Sequence, residues 1–337
     1  MQSTQKNSSN NSSKTVLFFV GGLSLLSLLF SCQKEEASGT TTSGACTPLP
    51  ATPDYGWVYE SKYSEILHRI TTSPFNNNEL LISTEISNDD STSGNIYKYN
   101  LNTKKLTLVA NKYVNSTPQW NTNDQVVFTT AQSGFSLFYM NSDGSGLTQV
   151  PEYFNIFDPV WSYDNTKIYF YDFNLSFQCV KADLSGNRLD TLNCPYILGL
   201  DFFDDKECLI YYPIEGGQFS IYNFDTNTIR STGDQLPDYP IAWFEVNDDN
   251  PNQFVFQNNQ GLYIYNLSSH TNTTIVDSCD RKKYFCPTYN KDHTYIYAIE
   301  GQYGVSENNS GTLTVEDYIV KISPNGGVVE RFRPLFD

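Results

Sequence analysis

The protein has 337 residues, with 21 Lys and Arg against 37 Asp and Glu, and a formal net charge of -16. A chain this acidic repels phosphate, which argues against a nucleic-acid partner. Aromatic residues make up 15% of the chain, too many for a disordered acidic tail. Tyr, Phe, Thr, Val, Ile and Asn are common, and this composition favours strands and turns.

The chain begins with an apolar leader. Residues 15–30 are almost uninterrupted apolar side chains, a stretch too short for a membrane span but typical of a signal-peptide core. The core ends in Leu29-Phe30-Ser31-Cys32, which resembles the lipobox of bacterial lipoproteins. The resemblance implies that residues 1–31 are a signal peptide and that Cys32 is acylated and anchors the chain to a membrane. An ordinary signal peptide with an incidental cysteine is the alternative.

The segment after Cys32 has the composition of a tether. Gln33-Lys34-Glu35-Glu36 resembles the surface-export signal of lipoproteins from the Bacteroidetes, which implies an outer-membrane anchor and exposure at the cell surface. A solvated charge run is the alternative interpretation. Residues 37–53 are rich in Ser, Thr, Gly and Pro, as in a flexible linker. We therefore predict a tether over residues 32–60 and a folded domain over 61–337.

An aromatic residue recurs through the rest of the chain at spacings of 45, 41, 41, 41 and 46 residues. Each one is followed by a polar turn and an apolar strand, and two further short strands complete each unit. The aromatic residues are Phe75, Trp120, Trp161, Phe202, Trp243 and Tyr289. Four short strands in 40–45 residues are the signature of a β-propeller blade. We predict an all-β, six-bladed propeller; a pair of β-sandwiches is the alternative. The predicted blades are 68–110, 111–150, 151–192, 193–232, 233–276 and 277–333.

Two of the repeats are distinctive enough to indicate a family. Pro118-Gln119-Trp120-Asn121 and Pro159-Val160-Trp161-Ser162, each followed by a polar turn and an apolar strand, resemble the repeat of TolB-type six-bladed propellers. The resemblance weakens in the last three blades. That family also has an N-terminal α/β domain, for which the short stretch between Cys32 and the propeller leaves no room, so the family's partners are not carried over.

One face of the predicted propeller is the better candidate for binding. The turns between the first and second strands and between the third and fourth strands of a blade are mostly short and polar. The loops between blades instead carry aromatic and acidic residues, and function tends to lie on such loops. The predicted ligand-binding residues are Tyr153, Phe154, Asp158, Tyr196, Tyr239 and Tyr284. For each ring, packing between neighbouring blades is the alternative.

Signatures of known chemistry are missing from the sequence. The three His have no metal-ligand spacing, and there is no G-x-S-x-G, phosphate-binding loop or dinucleotide-binding loop. We expect no metal and no cofactor, and a binding module for a protein partner or a glycan rather than an enzyme. A glycoside hydrolase or lyase with paired carboxylates on the axis is one alternative, and a structural subunit of an envelope complex is another.

Six cysteines remain once Cys32 is set aside, an even number in a chain predicted to be exported. Cys279 and Cys286 flank one loop between blades, and Cys194 and Cys208 open the fourth blade. We predict these two pairs as disulfides, with buried thiols as the alternative.

Overall fold

The computed structural model describes residues 58–86, 94–111, 118–130, 135–176, 178–192, 199–212, 218–232, 243–305 and 312–336. Cys32, the predicted signal peptide and nearly all of the predicted tether lie outside these residues. No helix within the described ranges is long and apolar enough to cross a membrane.

The first three blades are four-stranded antiparallel sheets, each built from consecutive strands. A separate first strand precedes them, β1 (Val58–Ser61). Blade one contains β2 (Glu65–Thr72), β3 (Glu79–Ile86), β4 (Gly94–Asn100) and β5 (Leu106–Asn111). Blade two contains β6 (Gln119–Trp120), β7 (Gln125–Thr130), β8 (Ser136–Asn141) and β9 (Thr148–Gln149). Blade three contains β10 (Ile156–Trp161), β11 (Lys167–Asp172), β12 (Gln178–Asp183) and β13 (Arg188–Thr191).

The last three blades repeat this arrangement. Blade four contains β14 (Leu200–Phe202), β15 (Glu207–Tyr212), β16 (Gln218–Asn223) and β17 (Thr228–Ser231). Blade five contains β18 (Phe244–Val246), β19 (Gln253–Asn258), β20 (Gly261–Asn266) and β21 (Thr271–Asp277). Blade six contains β22 (Lys282–Tyr289), β23 (Ile296–Val305), β24 (Thr312–Ile322) and β25 (Val328–Phe332). The all-β, six-bladed propeller predicted from the repeat is confirmed.

The hydrophobic core lies between the blades. The second and third strands of each blade are largely buried on both faces, with successive side chains pointing to opposite neighbours. The outermost strands are largely exposed. In β20, Tyr263 and Tyr265 pack against blade four, whereas Leu262 and Ile264 pack against blade six. Six apolar clusters fill the six interfaces in this way. First strands contact one another across five of the six junctions between blades, so these strands surround the axis.

The aromatic repeat is out of register in two blades. Trp120 and Trp161 are the last residues of their first strands that pair with the second strand, opposite Val126 and Ile168. In blades one and five this position is occupied by Thr72 and Val246. Phe75 instead lies in the turn after β2 and is 42% exposed, and Trp243 precedes Val246 by three residues. The prediction of Phe75 and Trp243 as blade anchors is therefore wrong. The loops and turns of these blades differ in length, so equal spacing did not mean equal position.

Both ends of the described chain join blade six to blade one. At the start, β1 pairs in parallel with β24 of blade six and then leads into β2, although residues 58–60 belong to the predicted tether. At the end, Arg333 forms an ion pair with Asp317 at 2.8 Å, and the Phe336 ring lies 5.1 Å from that of Tyr97 in blade one. The ring is thus closed by chain segments from both ends of the propeller.

Candidate functional site

Five of the blades each place one residue at an equivalent position around the axis. Each of these residues lies three positions before the last residue of the first strand that pairs with the second strand. We call this set of residues the inner ring. They are Arg69, Asp158, Gly199, Trp243 and Cys286; the corresponding residue of blade two lies outside the described ranges. The sequence offers no common residue type at this level. Each of these five blades contributes a different chemistry to the axis.

Three of these inner strands carry a β-bulge at this level. The register shifts between Leu67 and Arg69, between Phe157 and Val160, and between Phe285 and Thr288. Proline follows the inner-ring residue in blades three and six, and its missing N–H breaks the ladder there. Asp158 and Cys286 accordingly adopt positive φ angles of 44° and 52°. A bulge re-aims a side chain, here toward the axis.

A cavity of about 100 Å³ lies among the inner strands. All six blades contribute to its wall. Its lining includes Asp158, Trp243 and Cys286 of the inner ring. At Gly199, a Cβ would approach the Phe244 ring to 2.4 Å, so the absent side chain makes room for that ring. The cavity is a property of the closed ring, because no single blade encloses it.

The Arg69 guanidinium contacts three residues that line this cavity. Its guanidinium carbon lies 3.9 Å from the centroid of the Trp243 ring, a cation–π distance. Its Nη1 donates to Cys286 Sγ at 3.6 Å, and its Nη2 lies 3.9 Å from Asp158 Oδ1. One buried arginine therefore connects blades one, three, five and six.

Carboxyl and amide side chains connect neighbouring inner strands one level further along. Gln119 Oε1 accepts from Trp161 N–H at 3.4 Å, Asp201 Oδ2 from Val246 N–H at 2.7 Å, and Glu245 Oε1 from Tyr289 N–H at 3.0 Å. In each case the acceptor belongs to one blade and the donor to the next. These side chains act as latches between blades.

Several titratable groups near the axis are shifted towards their neutral forms. Burial raises the pKa of Asp201 to about 7, and burial together with the charge of Asp201 raises the pKa of Glu245 well above its usual value. Burial raises the pKa of the Cys286 thiol to about 11 and lowers the pKa of His68 to about 3. At neutral pH the thiol is protonated and the imidazole is uncharged, so neither acts as a charged group.

The raised pKa of Asp201 predicts a stability that falls as pH rises. Between about pH 4, the ordinary aspartate value, and the folded value of about 7, the folded state holds the proton more tightly than the unfolded state. We therefore expect thermal melting to show a decreasing Tm over this range. Asp201→Asn keeps an oxygen for Val246 N–H, and we expect it to reduce the slope and to raise Tm at pH 8 by a few degrees. An unchanged slope would contradict this assignment.

Two of the predicted binding residues are buried. Tyr153 is 5% exposed and packs edge-on against Phe170 at 4.6 Å. Tyr284 is 4% exposed and hydrogen-bonds Glu300. The alternative given for these rings, packing between neighbouring blades, therefore applies to both Tyr153 and Tyr284.

The other predicted residues have different positions. Phe154 is 50% exposed, and Asp158 both lines the cavity and has a side chain that is 45% exposed. Tyr196 and Tyr239 lie outside the described residues. Arg69 and Trp243 were missed as site residues because nothing in their local sequence marks them. The aromatic-x-Pro-x-aromatic pattern shared by residues 157–161 and 285–289 was the available signal for Asp158 and Cys286.

Phe154 belongs to a loop that is held in a defined conformation. A 3-10 turn, Phe173–Leu175, follows β11 and carries a second exposed ring, Phe173, which is 53% exposed. Asn174 Nδ2 donates to Phe154 O at 2.8 Å, and Phe173 N–H donates to Asn155 O at 3.0 Å. The two rings are thus presented by connected loops on the face where the inner strands begin.

The predicted disulfides are wrong. Cys279 is disulfide-bonded, but Cys286 is a buried thiol that contacts Arg69, so these two are not paired. Cys208 is also a buried thiol, so it is not paired with Cys194. It packs with Cys179 in the apolar cluster between blades three and four. The cysteine count suggested pairs, but burial between blades keeps these thiols in the core.

A metal centre has no structural support within the described ranges. No three His, Cys, Asp or Glu side chains in these ranges are grouped so as to hold a metal ion. The Asp-rich turn after β14 serves the backbone: Asp204 Oδ1 accepts from Lys206 N–H at 2.7 Å and from Glu207 N–H at 2.8 Å. Such a turn is explained by local hydrogen bonding.

Solved structures share this fold. The putative TolB from Agrobacterium tumefaciens is 14% identical, with a TM-score of 0.54 over 63% of this chain and 81% of that one. The fold is that of the TolB-like propellers. The β-propeller domain of the Trilobed protease from Pyrococcus furiosus is 10% identical, with a TM-score of 0.52 over 80% of this chain and 98% of that one. At these identities the likeness concerns the fold alone.

A third structure is more distant. TolB from Acinetobacter baumannii is 9% identical, with a TM-score of 0.37 over 78% of this chain and 53% of that one. No protein-family model matches the sequence, and no curated protein is significantly similar to it.

Proposed function

We propose that this chain is a cell-envelope lipoprotein whose TolB-like propeller is a non-enzymatic binding module for a protein partner or a glycan. The observation that carries the proposal is the cavity on the axis, to which every blade contributes. Convergent polar groups in an apolar cavity are typical of binding sites. Asp158 connects this cavity to solvent, and Phe154 and Phe173 add exposed aromatic surface on the same face.

The latches favour binding over catalysis. Glu245 in blade five and Gln119 in blade two make equivalent hydrogen bonds to the next inner strand. A glutamine cannot exchange a proton as an acid, so the position requires only an acceptor. The raised pKa of Glu245 then follows from its structural position and does not require a catalytic role.

A saccharide-active enzyme is the second candidate, because Asp201 and Glu245 interact electrostatically and both have raised pKa values, as a general acid requires. The test is to incubate the chain with polysaccharides and to measure released reducing ends or unsaturated products. Turnover that Glu245→Gln abolishes while the fold is kept would replace the binding proposal with an enzymatic one.

Phe154→Ala is expected to weaken ligand binding by about 1–3 kcal/mol, as the loss of an interface anchor does, and to leave Tm nearly unchanged. Ligands are found by glycan arrays and by crosslinking on intact cells, and the dissociation constant of each is then compared between variants. Tyr163→Ala is the matched control, because Tyr163 is 53% exposed but lies in the turn after β10, on the opposite face. Equal losses in both variants would contradict the assigned face.

Cys32→Ala is expected to abolish acylation and to release the protein from the membrane fraction. The physical reason is that the leader is too short to span a bilayer stably, so the acyl chains must supply the anchor. Labelling cells with an alkyne fatty acid measures the acylation directly. Equal labelling of the wild type and the variant would overturn the lipoprotein assignment.

A further inference from the structure

Arg69 is buried without the acceptors that an arginine requires. The residue is 6% exposed, and a guanidinium has five N–H donors. Its Nε has no hydrogen-bond partner, its Nη1 meets only the thiol sulfur of Cys286 at 3.6 Å, and its Nη2 is 3.9 Å from Asp158 Oδ1. The sulfur is a weak acceptor, and 3.9 Å is too long for a hydrogen bond.

A second buried arginine, Arg333, has the hydrogen-bond acceptors that the Arg69 guanidinium lacks. The Arg333 side chain is 11% exposed, close to the 8% of Arg69. Its Nε donates to Asp317 Oδ1 at 2.8 Å, and its Nη2 donates to the backbone oxygen of Glu65. A buried cation without such partners is costly. Arg281 Nε also has no hydrogen-bond partner, but only Arg69 of these two arginines contacts residues that line the cavity on the axis.

The surroundings of Arg69 indicate which kind of ligand would pair with its unpaired N–H groups. Trp243 covers one face of the guanidinium, so a ligand must approach its edge, where two N–H groups match the two coplanar oxygens of a carboxylate. The described lining of the adjacent cavity contains no Lys, Arg or His, but it contains Asp158 and Glu245. A ligand with a second negative charge would meet Asp158 without a second cation, so a monoanion fits best.

We propose that Arg69 is the anchor of a carboxylate-binding site on the axis of the propeller, which takes a monocarboxylate group. The inference rests on the proposed binding function and names the chemistry of its ligand. The cavity of about 100 Å³ corresponds to roughly three water molecules, which limits the inserted part to a few non-hydrogen atoms. Asp158, which is half-exposed and only 3.9 Å away, moves aside when the ligand carboxylate takes its place.

The test is calorimetric titration of the purified full chain with acetate, pyruvate and glucuronate, together with Trp fluorescence, since Trp243 covers the guanidinium. Chloride and phosphate are the control anions. We expect saturable binding of a monocarboxylate with one site per chain. Binding of acetate or pyruvate identifies a small free acid, and binding of glucuronate alone identifies a carboxylate carried by a sugar. No saturable binding of any of the three up to about 50 mM, equivalent to less than about 2 kcal/mol, overturns the proposal.

Two substitutions should act in opposite directions. Arg69→Lys loses the paired donors and is expected to weaken carboxylate binding about tenfold or more. Asp158→Asn removes the competing internal carboxylate and is expected to tighten binding severalfold. Arg230→Lys is the matched control, because Arg230 lies on the outermost strand of blade four, where it pairs with Glu207. This variant should bind the carboxylate as the wild type does. Wild-type affinity in Arg69→Lys overturns the proposal.

The Asp158→Asn variant keeps the proposal testable if Arg69→Lys fails to fold, because unchanged or weaker binding in Asp158→Asn also contradicts it. The failure of this inference is distinct from the failure of the proposed function. If no carboxylate binds but Phe154→Ala still weakens the binding of a partner or glycan, only the carboxylate site is wrong.

Discussion

Trp161→Ala is expected to lower the free energy of unfolding by about 3–5 kcal/mol, the cost of removing a large buried ring. Trp161 is 5% exposed in the cluster between blades two and three. Its indole N–H also donates to Gln119 O of the neighbouring blade at 3.2 Å. The substitution therefore leaves a cavity and removes a hydrogen bond between two blades. Urea unfolding followed by circular dichroism measures the change.

Two further substitutions calibrate this result. Trp120 is 9% exposed between blades one and two, and Trp120→Ala should have a cost in the same range. Tyr163, only two residues after Trp161, is 53% exposed, and Tyr163→Ala should change stability by less than about 0.5 kcal/mol. A similar loss at Tyr163, or a loss below about 1 kcal/mol at both tryptophans, would contradict the packing of the blades.

Arg333→Ala is expected to lower the free energy of unfolding by about 3–5 kcal/mol, because it leaves a buried carboxylate unpaired. Asp317 is 3% exposed; one oxygen accepts from Arg333 Nε at 2.8 Å and the other from Leu67 N–H of blade one. Arg333 also stacks on the Tyr63 ring, with its guanidinium carbon 3.5 Å from the centroid. The group therefore fastens the last blade to the first.

The double variant separates charge burial from packing. Adding Asp317→Asn to Arg333→Ala removes the unpaired charge and keeps an oxygen for Leu67 N–H, so it should restore part of the lost stability. Chemical denaturation of the single and double variants measures the coupling. If the double variant is less stable than Arg333→Ala alone, the loss does not arise from the buried charge.

The contacts of Arg333 matter because they lie where the ring closes between blades six and one. Each blade is complete in itself, with four consecutive strands, so the joint between blades one and six depends on what crosses it. β1, at the start of the described residues, crosses it, and the segment from Arg333 to Phe336, after the last strand, crosses it as well.

The sequence by itself determined the architecture, because blades are local units. Strand, turn and strand recur within 40–45 residues, and each blade pairs its own consecutive strands. A repeat of this kind is visible without knowledge of distant contacts. Trp120 and Trp161 were also predictable as core, since each lies in a regular repeat between a proline and a polar turn.

Only the tertiary structure decided what faces the axis and what is covered. Arg69, Trp243 and Cys286 are far apart in the chain and meet because the ring brings equivalent levels of different blades together. The burial of Tyr153 and Tyr284 and the thiol state of Cys208 depend on the neighbouring blade in each case. Local sequence reports the pattern of one blade, whereas exposure, cysteine pairing and the site on the axis arise from packing between blades.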